Sequence, residues 1–186
     1  MTLPNILHTP RLLLRKPELE DAKAIHEAVL ETFDDLKPWM GWAQHIPTLE
    51  ETITHTSNSN ARWGFGENRM LIFDKETNEF IGSTGFIRYD TSVPKYEIGY
   101  WCRNSKKQNG YIKEAVLALT KAAFEHCMAN RVEIKCDVDN YRSKKVAESL
   151  GFNYEGCHTN DGLKADRLNL RSTAIYAVTN KDQLNG

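Results

Sequence analysis

Three segments in succession, RMLIF (residues 69 to 73), EFIGSTGFI (79 to 87) and YEIGYW (96 to 101), read as strands, the first two joined by a short turn through KETN. A meander of this kind builds a sheet whose apolar faces have to be covered. The next part of the chain supplies the cover. A basic loop with one glycine, RNSKKQNG, leads into a helical stretch from Tyr111 to Met128, with Ile112, Ala115, Val116, Leu119, Ala123 and Cys127 along one side. RVEIKCDVD then alternates, with Val132, Ile134, Cys136 and Val138 facing one way and the charges the other. SKKVAESLGF reads as a short helix closed by Gly151, and RLNLRSTAIYAVT as a last long strand.

Upstream, RLLLR (11 to 15) is a first strand, and residues 17 to 31 carry Leu19, Ala22, Ile25, Ala28 and Val29 at helical spacing. A loop with Trp39 and Trp42 precedes a second helix, whose start is marked by Thr48 and Glu51 as a capping box. A Gly/Asn-rich loop separates that helix from the meander. The order β, α, α, β, β, β, α, β, α, β, β predicts an α/β (α+β) fold with a mixed, mostly antiparallel central sheet and helices on both faces. No repeat, low-complexity tract or composition break interrupts the 186 residues, so residues 1–186 are expected to form a single domain.

A net charge of -1 gives no electrostatic reason to expect nucleic acid or an anionic membrane as partner. No apolar run reaches the length of a bilayer span, and MTLPNILHTPRLLLRK lacks the marks of an export signal. Cys102, Cys127, Cys136 and Cys157 stand far apart, and the six histidines are scattered without a metal-ligand spacing. The expectation is therefore no metal, and buried free thiols in a reducing cytoplasm. His126 and His158 lack a positioned partner in the sequence and are read as structural.

The stretch RNSKKQNGYIKEAV places lysines, glutamine, asparagine and glycine where a helix begins. A helix N-terminus carries unpaired N–H groups and partial positive charge, so the loop suits an anion, although ordinary capping loops look much the same. Its context decides more: a strand before it, a long helix after it, then a strand, Asn140 and another helix. Here the sequence resembles the GNAT superfamily of acetyl-CoA-dependent N-acetyltransferases, and most of all the RimJ/RimL-type branch that acetylates N-termini of ribosomal proteins. The resemblance runs through TPRLLLRKPELEDA, LKPWMGW, IGSTGF, EIGYW, GYIKEAV and KCDVDNYRSKKVAESLGFNYEGC, nearly the whole chain. It implies one N-acetyltransferase domain that uses acetyl-CoA as co-substrate and needs no metal.

The family's phosphate loop has Gln or Arg, two residues, Gly, one residue, then Gly or Ala. It falls here on Lys107, Gln108, Asn109, Gly110, Tyr111 and Ile112. Lys107 keeps the charge of the usual first residue without its planar geometry. Gln108 replaces a frequent glycine, and Ile112 stands where a small residue lets the backbone approach. The resemblance implies that the loop amides cradle the cofactor's diphosphate. It also implies that the strand EIGYWC splays from its neighbour, bringing Tyr100, Trp101 and Cys102 to the pantetheine arm and thioester. Asn140 and Ser143 match cofactor-contacting positions, and Ser143 matches the acid that protonates the departing thiolate. Many superfamily members use a tyrosine one helical turn later, but VAESLGF has none. The other reading of Ser143 is a serine that caps its own helix.

For the base, Glu97 lies on the cofactor strand among apolar neighbours, where a carboxylate pKa can rise; alternatively it faces outward and pairs with a lysine. The RimL-type acidic base beyond EGC matches Asp161 first and Asp166 second. Trp39 and Trp42 are expected in the acceptor cleft, with core packing the alternative for at least one. Cys102 has no adjacent base and is not read as an acyl carrier.

The function so implied is transfer of acetyl from acetyl-CoA to the N-terminal α-amine of a ribosomal protein, by direct attack in a ternary complex in the cytoplasm. A homodimer that completes the acceptor cleft is a habit of the family. An α-amine, with a pKa of roughly 7.7–8.0, asks less of a base than a lysine amine at roughly 10.4. Two rivals stand beside it. One is an enzyme for polyamines or aminoglycosides, with Glu31, Asp34 and Asp35 of ETFDD as the carboxylates for a polycation. The other is a non-catalytic acyl-CoA-binding domain, which the departures in the phosphate loop would suit.

Overall fold

The structure, a computed structural model, describes residues 2–64, 68–90 and 92–186. The Gly/Asn-rich loop expected before the meander falls largely on 65–67, outside the described residues. The elements in chain order are β1 (Ile6–His8), β2 (Leu12–Arg15), α1 (Ala22–Leu36), α2 (Leu49–Ala61), β3 (Asn68–Asp74), β4 (Phe80–Asp90), β5 (Lys95–Cys102), α3 (Tyr111–His126), β6 (Arg131–Asp137), α4 (Tyr141–Ser149), β7 (Asn153–Leu163) and β8 (Leu170–Val178). The expected order gains one member, β1, a 3-residue strand too short to carry a period. The first helix begins later than expected, after a tight turn at Leu19–Asp21, and runs past residue 31 to Leu36. Thr48 caps α2 as its sequence indicates: its Oγ1 accepts from Glu51 N (3.1 Å), and Glu51 Oε2 accepts from Thr48 N (2.7 Å).

These strands form one sheet in the order β1-β2-β3-β4-β5-β6-β8-β7. The β5–β6 pair is parallel, because α3 carries the chain from the end of β5 back to the start of β6. Alternation along the strands sorts the core into two layers. Met70, Ile72, Phe86, Ile98, Val132 and Ile134 pack with Val116 and Leu119 of α3 and with Leu150. Leu71, Phe73, Phe80 and Trp101 face the other way, onto Ile25, Ala28 and Val29 of α1. Each fully buried side chain of this size stabilises the fold by roughly 1.5–3 kcal/mol.

The β5–β6 pairing is short. It runs from Lys95↔Arg131 to Glu97↔Glu133 and stops, while β5 continues to Cys102 and β6 to Asp137. The sheet therefore forks in its middle. Glu97 and Glu133 face each other at the crotch of the fork, both buried. Lys135 bridges them, with Nζ 2.5 Å from Glu133 Oε1 and 3.5 Å from Glu97 Oε2, and Arg131 Nε reaches Glu133 Oε2 at 2.9 Å. Burial pushes the Glu133 carboxyl up, but the hydrogen bonds from Lys135 and Arg131 outweigh it and hold the group below its ordinary value. The charges of β6 do lie opposite Val132, Ile134 and Cys136, yet Glu133 and Asp137 are buried and not solvated, because that face looks into the fork.

Candidate active site

A cleft of about 1180 Å³ occupies the fork. One end is the loop between β5 and α3, and its shape is imposed from both sides. On the α1 side, Arg103 Nε lies 2.5 Å from Glu31 Oε2, Ser105 N donates to Glu31 Oε1 (2.7 Å), Asn104 N donates to Thr32 Oγ1 (3.0 Å), and Lys107 Nζ lies 2.5 Å from Asp35 Oδ2. On the β2 side, Arg11 Nη1 donates to Asn109 O (3.0 Å), while its Nε pairs with Glu114 Oε2 (2.7 Å). Two residues of ETFDD, Glu31 and Asp35, are thus committed to fastening this loop. The hydrogen bond from Lys107 holds the Asp35 carboxyl below its usual range.

Gln108 and Gly110 both adopt left-handed backbone, at φ 65° and 78°. Such residues let successive amides face one concavity, the geometry of an anion nest. Among the described residues, none accepts from the N–H groups of Gln108, Asn109, Gly110, Tyr111 or Ile112. They stand at the N-terminus of a 16-residue helix, so dipole and orphan donors favour the same ligand, a phosphate or diphosphate. Asn109 does not line the cleft; its side-chain amide donates to Lys106 O (3.2 Å) and Lys107 O (3.1 Å) and holds the turn. Beyond the crotch, the edge of β5 from Ile98 to Cys102 has no strand partner on the β6 side, leaving main-chain groups for an extended ligand arm. These features fit the coenzyme that the sequence implies.

Tyr100, Trp101, Cys102, Asn140 and Ser143 all line the cleft. The helix cap is Asn140, whose Oδ1 accepts from Ser143 N (3.1 Å), so Ser143 does not cap. Its Oγ stands instead 2.8 Å from the hydroxyl of Tyr100, and that hydroxyl also lies 3.0 Å from Ser143 O. Burial pushes the Tyr100 phenol well above its ordinary pKa, which keeps its proton in place at neutral pH. The absence of a tyrosine one helical turn after Ser143 is thus answered from β5, a pairing across 43 positions that no local pattern signals. Cys102 is pushed up to about 11 by burial, which leaves a protonated thiol and no acyl carrier.

On the opposite wall, Asp161 Oδ1 accepts from Thr173 Oγ1 (2.7 Å), and His158 Nδ1 lies 3.9 Å from Asp161 Oδ2. His158 therefore has a carboxylate neighbour in the cleft, contrary to its reading as a lone structural histidine. His126 lies at the end of α3, exposed and outside the cleft. Glu97 is paired with a lysine, as one reading held, but inside the fork and not outward. Asp166 holds the turn after β7 by accepting from Leu168 N (2.9 Å) and Asn169 N (3.1 Å). Trp39 is exposed and lines the cleft. Trp42 does not line it; its ring sits 6.3 Å from that of Trp101. Sequence reasoning missed Arg88, Lys135, Asp137, Arg171 and Thr173, which also line the cleft. The alternation of β6 marks the first of its two, Lys135, and then Asp137, as sharing a face with Glu133.

The thiols are free, but Cys157 is exposed, correcting the expectation that all are buried; it lies on β7 at the edge of the sheet, where one side of the strand has no cover. Among the described residues, no three His, Cys, Asp or Glu side chains are grouped to hold a metal ion.

The model of the family described as Acetyltransferase (GNAT) domain matches residues 11–153. An uncharacterized N-acetyltransferase, p20, of Bacillus licheniformis is 32% identical over 81% of this chain and 83% of its own. The ribosomal-protein-serine acetyltransferase of Escherichia coli is 30% identical over 73% of this chain and 75% of its own. Among solved structures, a RimL ribosomal L7/L12 alpha-N-protein acetyltransferase in complex with coenzyme A superposes with a TM-score of 0.84 at 26% identity, covering 97% of this chain and 99% of that one.

Proposed function

The chain belongs to the GNAT family and is an acetyl-CoA-dependent N-acetyltransferase, and on that premise we propose that its acceptor is the N-terminal α-amine of a protein, as in the ribosomal-protein acetyltransferases it resembles. One observation carries the choice of acceptor class. Of the carboxylates that would serve a polycation, Glu31 and Asp35 are tied to Arg103 and Lys107 and Asp34 is exposed outside the cleft, while Arg88, Arg167 and Arg171 line it. A polyamine would meet a basic wall.

Acetyl-CoA supplies the thioester carbonyl. The amides of residues 108 to 112 hold its diphosphate, and the free edge of β5 aligns its arm. Asp161 takes the proton of the attacking amine; Thr173 fixes one of its oxygens and leaves the other to the cleft. Glu97, neutralised by Lys135, holds the fork open at the point where amine and thioester meet. Trp39 forms the floor for the acceptor's first residues. On the leaving side, Ser143 gives the thiolate its hydroxyl proton, and Tyr100, 2.8 Å away, donates a hydrogen bond to the serine oxygen so left. Water entering the cleft as the products leave returns the proton. Transfer is direct, because Cys102 is held as a thiol.

A ribosomal acceptor places the reaction in the cytoplasm, and among the described residues no helix is long and apolar enough to cross a membrane. A homodimer completing the acceptor cleft belongs to the same reading and is checked by sedimentation. The deciding experiment is thiol release from acetyl-CoA with a panel of N-terminal peptides, polyamines and aminoglycosides. Turnover on peptides is expected; turnover on polyamines alone would replace this reading with the small-amine one, and binding without any release would favour the non-catalytic one.

A further inference from the structure

Arg171 is the one described residue with a buried side-chain nitrogen lacking a partner: its Nε has no hydrogen-bond acceptor. A shielded donor of this kind is rare and costly in a folded protein unless a ligand supplies the acceptor. The residue lines the cleft from β8, and no carboxylate among the described residues pairs with its guanidinium. Opposite it in register is Gly162, where an added Cβ would lie 3.5 Å from Nη2 and 3.8 Å from Nε. Those are ordinary contact distances, so the β7 backbone at Gly162 lies against this side of the guanidinium and shields Nε. Arg171 and Thr173 are two apart on one strand, so they project from the same face about 7 Å apart. Thr173 is the residue that holds Asp161. A guanidinium without a carboxylate partner therefore stands about one extended dipeptide repeat from the threonine that holds the carboxylate to which the proposed function assigns the amine's proton. Lys164, just after β7, is occupied by Asp139 at 2.8 Å, whereas Arg171 has no such carboxylate partner among the described residues.

We propose that Arg171 binds a carboxylate side chain of the acceptor within its first three residues, so that the enzyme selects protein N-termini bearing Asp or Glu beside the amine. This inference rests on the α-amine reading above. A planar guanidinium that lines the cleft and has no carboxylate of its own pairs well with one through its outer nitrogens, and an amide in the same place would leave the charge unmatched.

The test uses three peptides with the same first residue and with Asp-Glu, Asn-Gln or Lys-Lys following it, assayed by thiol release on the full chain. For the acidic peptide, KM is expected to be roughly tenfold lower than for the amide peptide at similar kcat, the size of a single charge-assisted contact. Arg171→Gln should raise KM for the acidic peptide alone, Arg171→Lys should restore part of the preference, and calorimetry should show unchanged affinity for coenzyme A. Equal KM values for acidic and amide peptides in the wild type would overturn the proposal, a comparison that needs no variant to fold. So would an Arg171→Gln variant that loses coenzyme A affinity, since Arg171 would then serve the cofactor. Both of those results leave the α-amine reading intact. Thiol release with a diamine but with none of the three peptides would instead remove that reading and this inference together.

Discussion

The hydroxyl of Tyr100 stands 2.8 Å from Oγ of Ser143, and the same hydroxyl lies 3.0 Å from the Ser143 carbonyl. One phenolic proton cannot serve both acceptors at once. When it points to the carbonyl, the serine proton points to the tyrosine; when it points to Oγ, the serine proton is released toward the cleft. The pair is thus a two-position switch for a single proton, set between a strand and a helix. Ser143→Ala removes the group that meets the thiolate and should lower kcat about 100-fold, within the span of general acid effects, while leaving KM for acetyl-CoA little changed. Tyr100→Phe should cost less, and the double variant no more than Ser143→Ala alone, because the two act as one unit. Steady-state thiol release measures all three; independent, additive losses would separate the pair.

Lys135 bridges two carboxylates in the crotch of the fork. In the wild type, Glu133 is held below its ordinary pKa, so its share of stability is present above the unfolded value near roughly 4.3 and is lost as pH falls through the folded value. Lys135→Met leaves Glu97 facing Glu133 without that cation, in a buried setting. Arg131 still holds Glu133 at 2.9 Å, so the cost stays below the roughly 3–5 kcal/mol of a buried charge left wholly unpaired. The like-charge repulsion of the two carboxylates is relieved by a bound proton, which reverses the sign: the variant regains stability as pH falls from 8 toward about 5. Thermal melts across that range check it, and a variant whose melting temperature ignores pH would show that water reaches the fork.

Much of this arrangement was readable in the chain itself. The capping box at Thr48 and Glu51, the apolar stripe of α3 and the alternation of β6 are local patterns, and each appears where its period puts it. The loop before α3 was readable in part: orphan amides follow from its place at a helix start, whereas the left-handed turn at Gln108 is not signalled by its residue type. What escaped was set by long-range contacts. Nothing near Ser143 announces Tyr100, nothing near Glu31 announces Arg103, and the burial of Glu133 depends on a fork that exists only once β5 and β6 part. Trp42 shows the same limit: it was expected in the acceptor cleft, and it lies outside the cleft lining with its ring 6.3 Å from that of Trp101, a contact between residues 59 positions apart.

Gln108 holds a left-handed φ of 65°, which an L side chain adopts at a cost and glycine does not. Gln108→Gly should therefore leave coenzyme A affinity within about twofold and raise stability by up to about 1 kcal/mol, offset in part by the greater freedom of glycine in the unfolded chain. Gly110 is the converse case. An added Cβ would meet only Arg11 Nη2 at 3.5 Å, an ordinary contact, so space is not the obstacle at φ 78°. Gly110→Ala should cost about 1 kcal/mol through backbone strain and loosen the anion nest as it relaxes. Chemical denaturation and calorimetry with coenzyme A distinguish the two variants, and a tighter-binding Gly110→Ala would show that the nest does not hold the diphosphate.

Asp35 tests whether Lys107 is a fastener or a phosphate ligand. Its carboxylate accepts from Lys107 at 2.5 Å, and that bond is the main cause of its depressed pKa. The pair is partly exposed, so its direct worth after solvent screening is about 0.5 kcal/mol, present above the unfolded carboxylate value and lost as pH falls through the lower folded one. Asp35→Asn should therefore melt slightly below the wild type at pH 7, and the gap should close in acid. The larger effect should fall on the cofactor. With the Lys107 ammonium left to Asn104 Oδ1 alone, the amides of residues 108 to 112 lose one of their ties to α1, and the Kd for coenzyme A should rise about threefold, less than 1 kcal/mol. If calorimetry instead shows tighter binding that high salt abolishes, the freed ammonium reaches the diphosphate, and Lys107 acts in the variant as the charge its position in the motif suggests.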